Sequence, residues 1–224
     1  MSALRTPGVL AATLAFVAGF VDTLGFVALF GLFTAHVTGN FVLIGSELVH
    51  PTHGVLIKLL AFPAFIAGVV ATRLLVSARE GSGRDPQRLL FRLQALLLAG
   101  FMGLGLAAGP HPAPHATLAI LAGAMGAMAM GMQNAASRLV LTQLSPTTVM
   151  TGNVTQLIID LVDWVREPSA PAVRERLNKF GWPILAFGCG ALGGAALFQT
   201  VGFAALGLPV VLLLALPGRP APAA

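Results

Sequence analysis

The sequence predicts an all-α integral membrane protein: six transmembrane helices in a 3+3 inverted duplication, each half carrying a short re-entrant or broken segment. Three observations predict it. The 224 residues are 56% hydrophobic and 9% charged, with a mean hydropathy of +0.86, and such a chain cannot cover itself with polar surface in water. The triplet Thr38-Gly39-Asn40 returns as Thr151-Gly152-Asn153, each time after a long apolar run. The cations, finally, fall on one side of the bilayer when six spans are drawn.

The duplication extends beyond the triplets. Ala11, Ala15 and Gly19 form a small-residue ladder that Gly123, Ala127 and Gly131 repeat 112 positions later, and Asp22 then falls opposite Asn134. Pro63 and Gly68 match Pro183 and Gly188 at an offset of 120. The chain therefore reads as a first membrane repeat over residues 1–109, a second over 116–218, and a short tail, 219–224, expected to be disordered.

Six segments are long enough to cross a bilayer, which takes about 20 apolar residues: Val9 to Phe30, Val55 to Val76, Leu89 to Ala108, Ala116 to Leu139, Phe180 to Phe198 and Val201 to Leu216. The first is not expected to be a cleavable signal, because it has a counterpart in the second half and runs on through Asp22. Each triplet opens a further segment. His36 to Val49 would span only ~21 Å as helix, too little for a ~30 Å core. Pro146 to Val165 is long enough but carries a polar stripe at Thr148, Gly152, Gln156, Asp160, Asp163 and Glu167. Ser145 followed by Pro146 reads as its helix start. Ser77 to Arg92 and Glu167 to Lys179 read as polar connections, neither large enough to form a domain.

The positive-inside rule arbitrates whether the triplet segments cross. With six spans and a cytoplasmic amino terminus, Arg5, Arg73, Arg79, Arg84, Arg88, Arg92, Arg138, Arg166, Arg174, Arg176, Lys179 and Arg219 all face inward, and Lys58 alone faces out. Eight spans would divide the same cations seven to six, without bias. Six spans with both termini cytoplasmic is the expectation. Three spans per copy is an odd number, so the copies are inverted with respect to each other.

The runs Ala18-Gly19-Phe20-Val21-Asp22 and Gly31-Leu32-Phe33-Thr34-Ala35-His36-Val37-Thr38-Gly39-Asn40, with Gly131-Met132-Gln133-Asn134-Ala135-Ala136 and Thr147-Thr148-Val149-Met150-Thr151-Gly152-Asn153, resemble the YoaK family of bacterial membrane proteins, domain of unknown function 1275. The resemblance covers essentially the whole chain. It implies a multi-pass protein of the bacterial plasma membrane with about six spans, and it implies no established activity.

Function is therefore argued from residues. An acid inside a span costs ~2.5–3.5 kcal/mol on insertion scales and usually faces a bundle interior or aqueous cavity, so Asp22 is either a proton or cation site or a buried structural acid bonded to Asn134 or a triplet threonine. The triplets Thr38, Asn40, Thr151 and Asn153 either line a solute pathway, as broken segments at matching positions of inverted copies do, or cap helices and join the two halves. Asn134 is the likelier cavity residue of the pair Gln133 and Asn134, which point about 100° apart. His36, His50, His53, His111 and His115 match no metal motif, and the lone Cys189 makes neither an intramolecular disulfide nor a metal cluster. Met125, Met128, Met130 and Met132 read as packing, and Gly190 with Gly194 as close helix contact within or between subunits, which leaves a homo-oligomer open.

No cofactor or metal is expected, and no nucleic acid, since the high pI comes from arginines beside apolar segments. An enzyme is not expected either, as there is no nucleophile motif, metal signature or phosphate loop. Two classes remain. One is a small-solute transporter or channel with a midplane polar site, proton-coupled if Asp22 is a proton site; the other is a non-transporting scaffold or regulator whose polar residues serve packing. No arginine cluster points to a multivalent anion, so a small neutral or weakly charged solute is favoured.

Overall fold

A computed structural model describes residues 6–50, 54–80, 85–109, 112–113, 115–167 and 171–218. Among them the chain is entirely helical: α1 (Pro7–Ala28), α2 (Gly39–Val49), α3 (Val55–Glu80), α4 (Gln87–Ala108), α5 (Thr117–Leu139), α6 (Met150–Arg166), α7 (Pro171–Val201), a 3-10 turn (Gly202–Leu206) and α8 (Gly207–Ala215). The tail 219–224 lies outside the described residues, as do His53 and His111.

Five helical stretches are long and apolar enough to cross a membrane: Pro7–Ala28, Val55–Glu80, Gln87–Ala108, Thr117–Leu139 and Pro171–Ala215. Helix is the form that satisfies every backbone group internally where lipid offers no partner. Apolar side chains such as Ile66, Val70 and Leu74 on α3, and Trp182, Leu185 and Leu192 on α7, face outward. The first four spans begin and end within a few residues of expectation. The last two differ. Most of the expected polar linker is the first turns of α7, a 31-residue helix, because Arg176 is held against α6 by Asp160 at 2.8 Å. The expected sixth span is a 3-10 turn joined to a nine-residue helix. Gly202 breaks α7 at φ 59°, a conformation open to glycine. Phe203 then packs on Gly105 near the end of α4, and the Pro217 carbonyl accepts from Gln87 Nε2 at the start of α4. The segment from Gly202 to Pro217 thus runs back along the whole of α4.

The core is made by two helix pairs, α1 on α7 and α3 on α5. Both are parallel crossings in which glycine lets backbones touch. A Cβ at Gly19 would collide with the Phe187 carbonyl, and one at Gly190 with that of Phe16; Gly68 meets the Met128 carbonyl and Gly131 that of Phe65. Small residues are the means of close helix approach in lipid, where apolar burial alone does not drive association. Gly194 likewise lies on the Phe20 carbonyl, so the Gly190/Gly194 pattern is an intrachain contact. The packing aligns Gly68 with Gly190, whereas sequence matching aligns it with Gly188. Two residues are about 200° of helix, and Gly188 has nothing within 4 Å.

Two connections tuck back into the bundle from opposite sides. Below, the N-side is the side on which α1 begins. After α1 the chain reverses at Phe30 and Gly31, both at positive φ, and Leu32, Thr34, Ala35 and Val37 are buried. After α5, Leu141, Leu144, Ser145, Thr147 and Thr148 are buried on the N-side. α2 and α6 then return outward with apolar faces exposed, including Phe41, Val42 and Leu48 on the one and Ile158, Val162 and Val165 on the other.

Candidate functional site

Each triplet holds its re-entrant connection through its asparagine. Asn40 pairs with both backbone groups of Phe33: the Phe33 N–H donates to Oδ1 at 2.9 Å and Nδ2 donates to the carbonyl at 2.8 Å. Asn153 Nδ2 donates to the Pro146 carbonyl at 2.7 Å. Proline has no N–H to return, so the second bond is absent where the sequence has proline. Both asparagines are buried, while Thr38 and Thr151 are exposed. Pro146 therefore sits in the connection, and α6 starts four residues later than the Ser145-Pro146 pair suggests. Ser145 Oγ donates instead to the Lys179 carbonyl at 3.1 Å.

Asp22, 4% exposed, clamps the first connection. Its Oδ1 accepts from the backbone N–H of Thr34 and of Ala35, both at 2.7 Å, and from that of His36 at 3.4 Å. Thr34 Oγ1 also donates to it at 3.3 Å. Its Oδ2 lies 2.6 Å from His36 Nδ1, and the imidazole stands edge-on to Phe187 of α7. His36 belongs to the connection and not to a spanning helix. The hydrogen bond to Asp22 raises its pKa above the ordinary 6.5 and the Asp22 charge adds to this, against desolvation, which lowers it.

The N-side connection is held differently. Asn134 Nδ2 donates to Thr148 Oγ1 at 2.8 Å. Gln133 Nε2 donates to the Leu14 carbonyl at 2.8 Å and to Thr147 Oγ1 at 3.0 Å, and its Oε1 accepts from Gln94 at 2.6 Å. Beside this network opens a cavity of about 580 Å³. Asn134, Ser137, Arg138, Thr142, Thr148 and Gln156 provide its polar lining, and Leu144, Pro146, Val149 and Phe180 its apolar one. Asn153 and Gly152 complete the wall. A Cβ at Gly152 would meet nothing within 4 Å, so that residue borders open space.

Asp22 and Asn134 are not brought to one point. Gln133 is level with Leu14, and Asp22 lies eight residues further along α1, about 12 Å at helical rise. The intervening turn, Val17 to Val21, is wholly buried and contributes no polar side chain. The expected site residues thus form two groups, Asp22 with Asn40 on the far side and Asn134 with Asn153 on the N-side.

The sequence pattern of DUF1275, a protein family of unknown function, matches residues 10–217, the stretch that contains both triplets and both clamps. The chain belongs to the DUF1275 family. It is 30% identical over 164 residues to the UPF0700 transmembrane protein YoaK of Bacillus subtilis (strain 168), covering 72% of this chain and 70% of that protein. No solved structure matches. This DUF1275 member is accordingly an integral membrane protein, consistent with its long apolar helices.

Several residues of this DUF1275 chain matter more than sequence reasoning suggests. Lys58, expected as the one outward-facing charge, is 1% exposed and bonded to Glu47 at 2.6 Å and to the Phe30 carbonyl at 2.5 Å. Asp160 on α6 pairs with Arg176 at 2.8 Å and accepts from Gln156 at 3.1 Å. Glu47 and Asp160 each follow their triplet asparagine by seven residues, a repeat legible in sequence once the triplets are aligned. His36 and Gln133 carried no such signal, since the bonds His36–Asp22 and Gln133–Thr147 each join a helix to a connection that only the fold brings inward.

Proposed function

We propose that the protein is a transporter for a small solute and not an enzyme, built as two inverted copies of three spans and one broken segment, and resting with its cavity open to the cytoplasm. The observation that carries this is the 580 Å³ cavity, whose wall includes Asn134, Thr148 and Asn153, while the equivalent far-side position is filled by the Asp22–His36 pair. A cavity beside one connection and a filled position beside the other is the arrangement expected when inverted repeats exchange conformations; the far-side space of about 650 Å³ between the ends of α1 and α7 is lined by neither Asp22 nor His36.

Four further features support the duplication: recurrent glycine contacts at Gly19 and Gly131, others at Gly68 and Gly190, recurrent asparagine clamps and recurrent acid–base pairs. The charge bias supports a cytoplasmic N-side, and more strongly now that Lys58 is neutralised within the fold. The dry turn from Val17 to Val21 is the barrier that must rearrange, and it is also what a non-transporting scaffold would contain. Uptake separates the two. Proteoliposomes should accumulate at least one member of a labelled panel of small solutes, and Gly152→Trp, which fills the open space, should abolish that uptake while the protein still folds. Uptake by no panel member, or uptake unchanged in Gly152→Trp, would favour the scaffold.

A further inference from the structure

We infer that the N-side cavity is a binding site for a small monoanion with an apolar body, of the monocarboxylate class, with Arg138 as its charge partner. The inference rests on the transporter reading of the same cavity and names its substrate class.

Charge accounting within the fold leads to it. Lys58 is matched by Glu47, and Arg176 by Asp160 and Asp163. Arg138, exposed at the last turn of α5, makes no ion pair among the described residues, and neither do Arg88, Arg92, Arg166, Arg174 and Lys179; of these Arg138 is the one that lines the cavity, and no carboxylate lines it. One unmatched cation favours one negative charge, because guanidinium and carboxylate form short charge-assisted hydrogen bonds. Multivalent anions would need further cations, and none lines the space.

The remaining lining specifies the rest of the solute. Ser137, Thr142 and Gln156 add neutral polar groups to the lining, whereas Leu144, Val149 and Phe180 offer an apolar wall. A cavity of about 580 Å³ exceeds what a halide or nitrate would fill. Ligand sites of this size combine a mostly apolar lining with a few polar groups that fix orientation. A carboxylate on a short hydrocarbon body suits both halves. Gly152 leaves the mouth open, and a side chain there would stand in the solute's place.

The test is binding, measured apart from transport. The purified full-length protein in uncharged detergent is titrated with propionate, lactate and benzoate, with propionamide and lactamide as uncharged isosteres, and with inorganic phosphate and sulfate, by calorimetry and thermal shift. The expected result is saturable binding of the monocarboxylates, with the amides and divalent anions at least about tenfold weaker. Arg138→Gln should lose about tenfold or more while keeping the wild-type unliganded melting temperature, and Arg138→Lys should lose less. Equal binding of amides, preference for phosphate or sulfate, binding unchanged in Arg138→Gln, or no binding of any monocarboxylate would each overturn the inference. Uptake of neutral solutes without anion preference would leave the transporter standing and remove this site. Monocarboxylate binding without uptake of any solute would retain the site and remove the transporter.

Discussion

Asp22→Ala is expected to destabilise the protein by about 3–5 kcal/mol, since it leaves at least two buried backbone donors unsatisfied at roughly 1–3 kcal/mol each. The carboxylate accepts from the backbone of Thr34, Ala35 and His36 and faces the His36 ring, so alanine strands several buried donors at once. Asp22→Asn should cost less and still insert and fold. The amide oxygen can take the backbone donors, and Asn134, which the sequence matching aligns with Asp22, is itself an asparagine. What asparagine cannot supply is a negative partner for His36. Because the folded pKa of His36 is raised, its charged pairing contributes stability that is fully present below pH 6.5 and is lost as pH rises through the higher folded value. The melting temperature of the wild type relative to His36→Gln should therefore be highest at acidic pH and converge with it at alkaline pH. Asp22→Asn should show no such convergence. A wild-type advantage that is constant with pH would mean the pair does not titrate in this range.

Gly190→Ala and Gly68→Ala are expected to prevent native assembly or to destabilise it by about 3 kcal/mol or more, above the usual range for overpacking. The added methyl would meet a backbone carbonyl, of Phe16 or Met128, and cannot move aside as it could against a flexible side chain. Gly188→Ala should be silent, since that position faces open space. Size-exclusion profiles and melting curves in detergent decide this. Equal effects at 188 and 190 would mean that the α1–α7 crossing is wrongly registered.

That two-residue difference shows what was legible in the sequence and what was not. Apolar length alone located α1, α3, α4 and α5, because lipid leaves a long apolar segment one choice of backbone. It could not find the start of α7, where nine residues of polar sequence are helical through a salt bridge to another element. Nor could it see that the segment after α7 begins as a 3-10 turn, with Phe203 against Gly105. Matching prolines gave an offset of 120, whereas the face turned toward the neighbour helix obeys 122, and only packing distinguishes them. At the site, the triplets pointed to the connections, and of their named members it is Asn40 and Asn153 that are buried in them. Their asparagines act on the backbone within seven residues, and their threonines face outward. Asp22 stood out by its intrinsic cost in an apolar helix. His36 did not stand out among the five histidines, because its partner Asp22 is on α1 and nothing local reveals the pairing. The burial of Lys58 against Glu47 was not legible for a similar reason, that partner being on a different helix.

The central claim is that the two connections alternate, the cavity closing on the N-side as the Asp22–His36 end opens. Cysteines at the corresponding positions Ala35 and Thr148, introduced singly in a Cys189→Ala background, test it most directly. Each is labelled with an impermeant thiol reagent from either face of oriented vesicles, with and without a transported solute. Thr148→Cys should react from the cytoplasmic face alone and Ala35→Cys only from the other, and a solute that shifts the equilibrium should slow one rate as it raises the other. Rates that ignore solute, with Ala35→Cys unreactive throughout, would contradict alternation and leave a packed membrane scaffold.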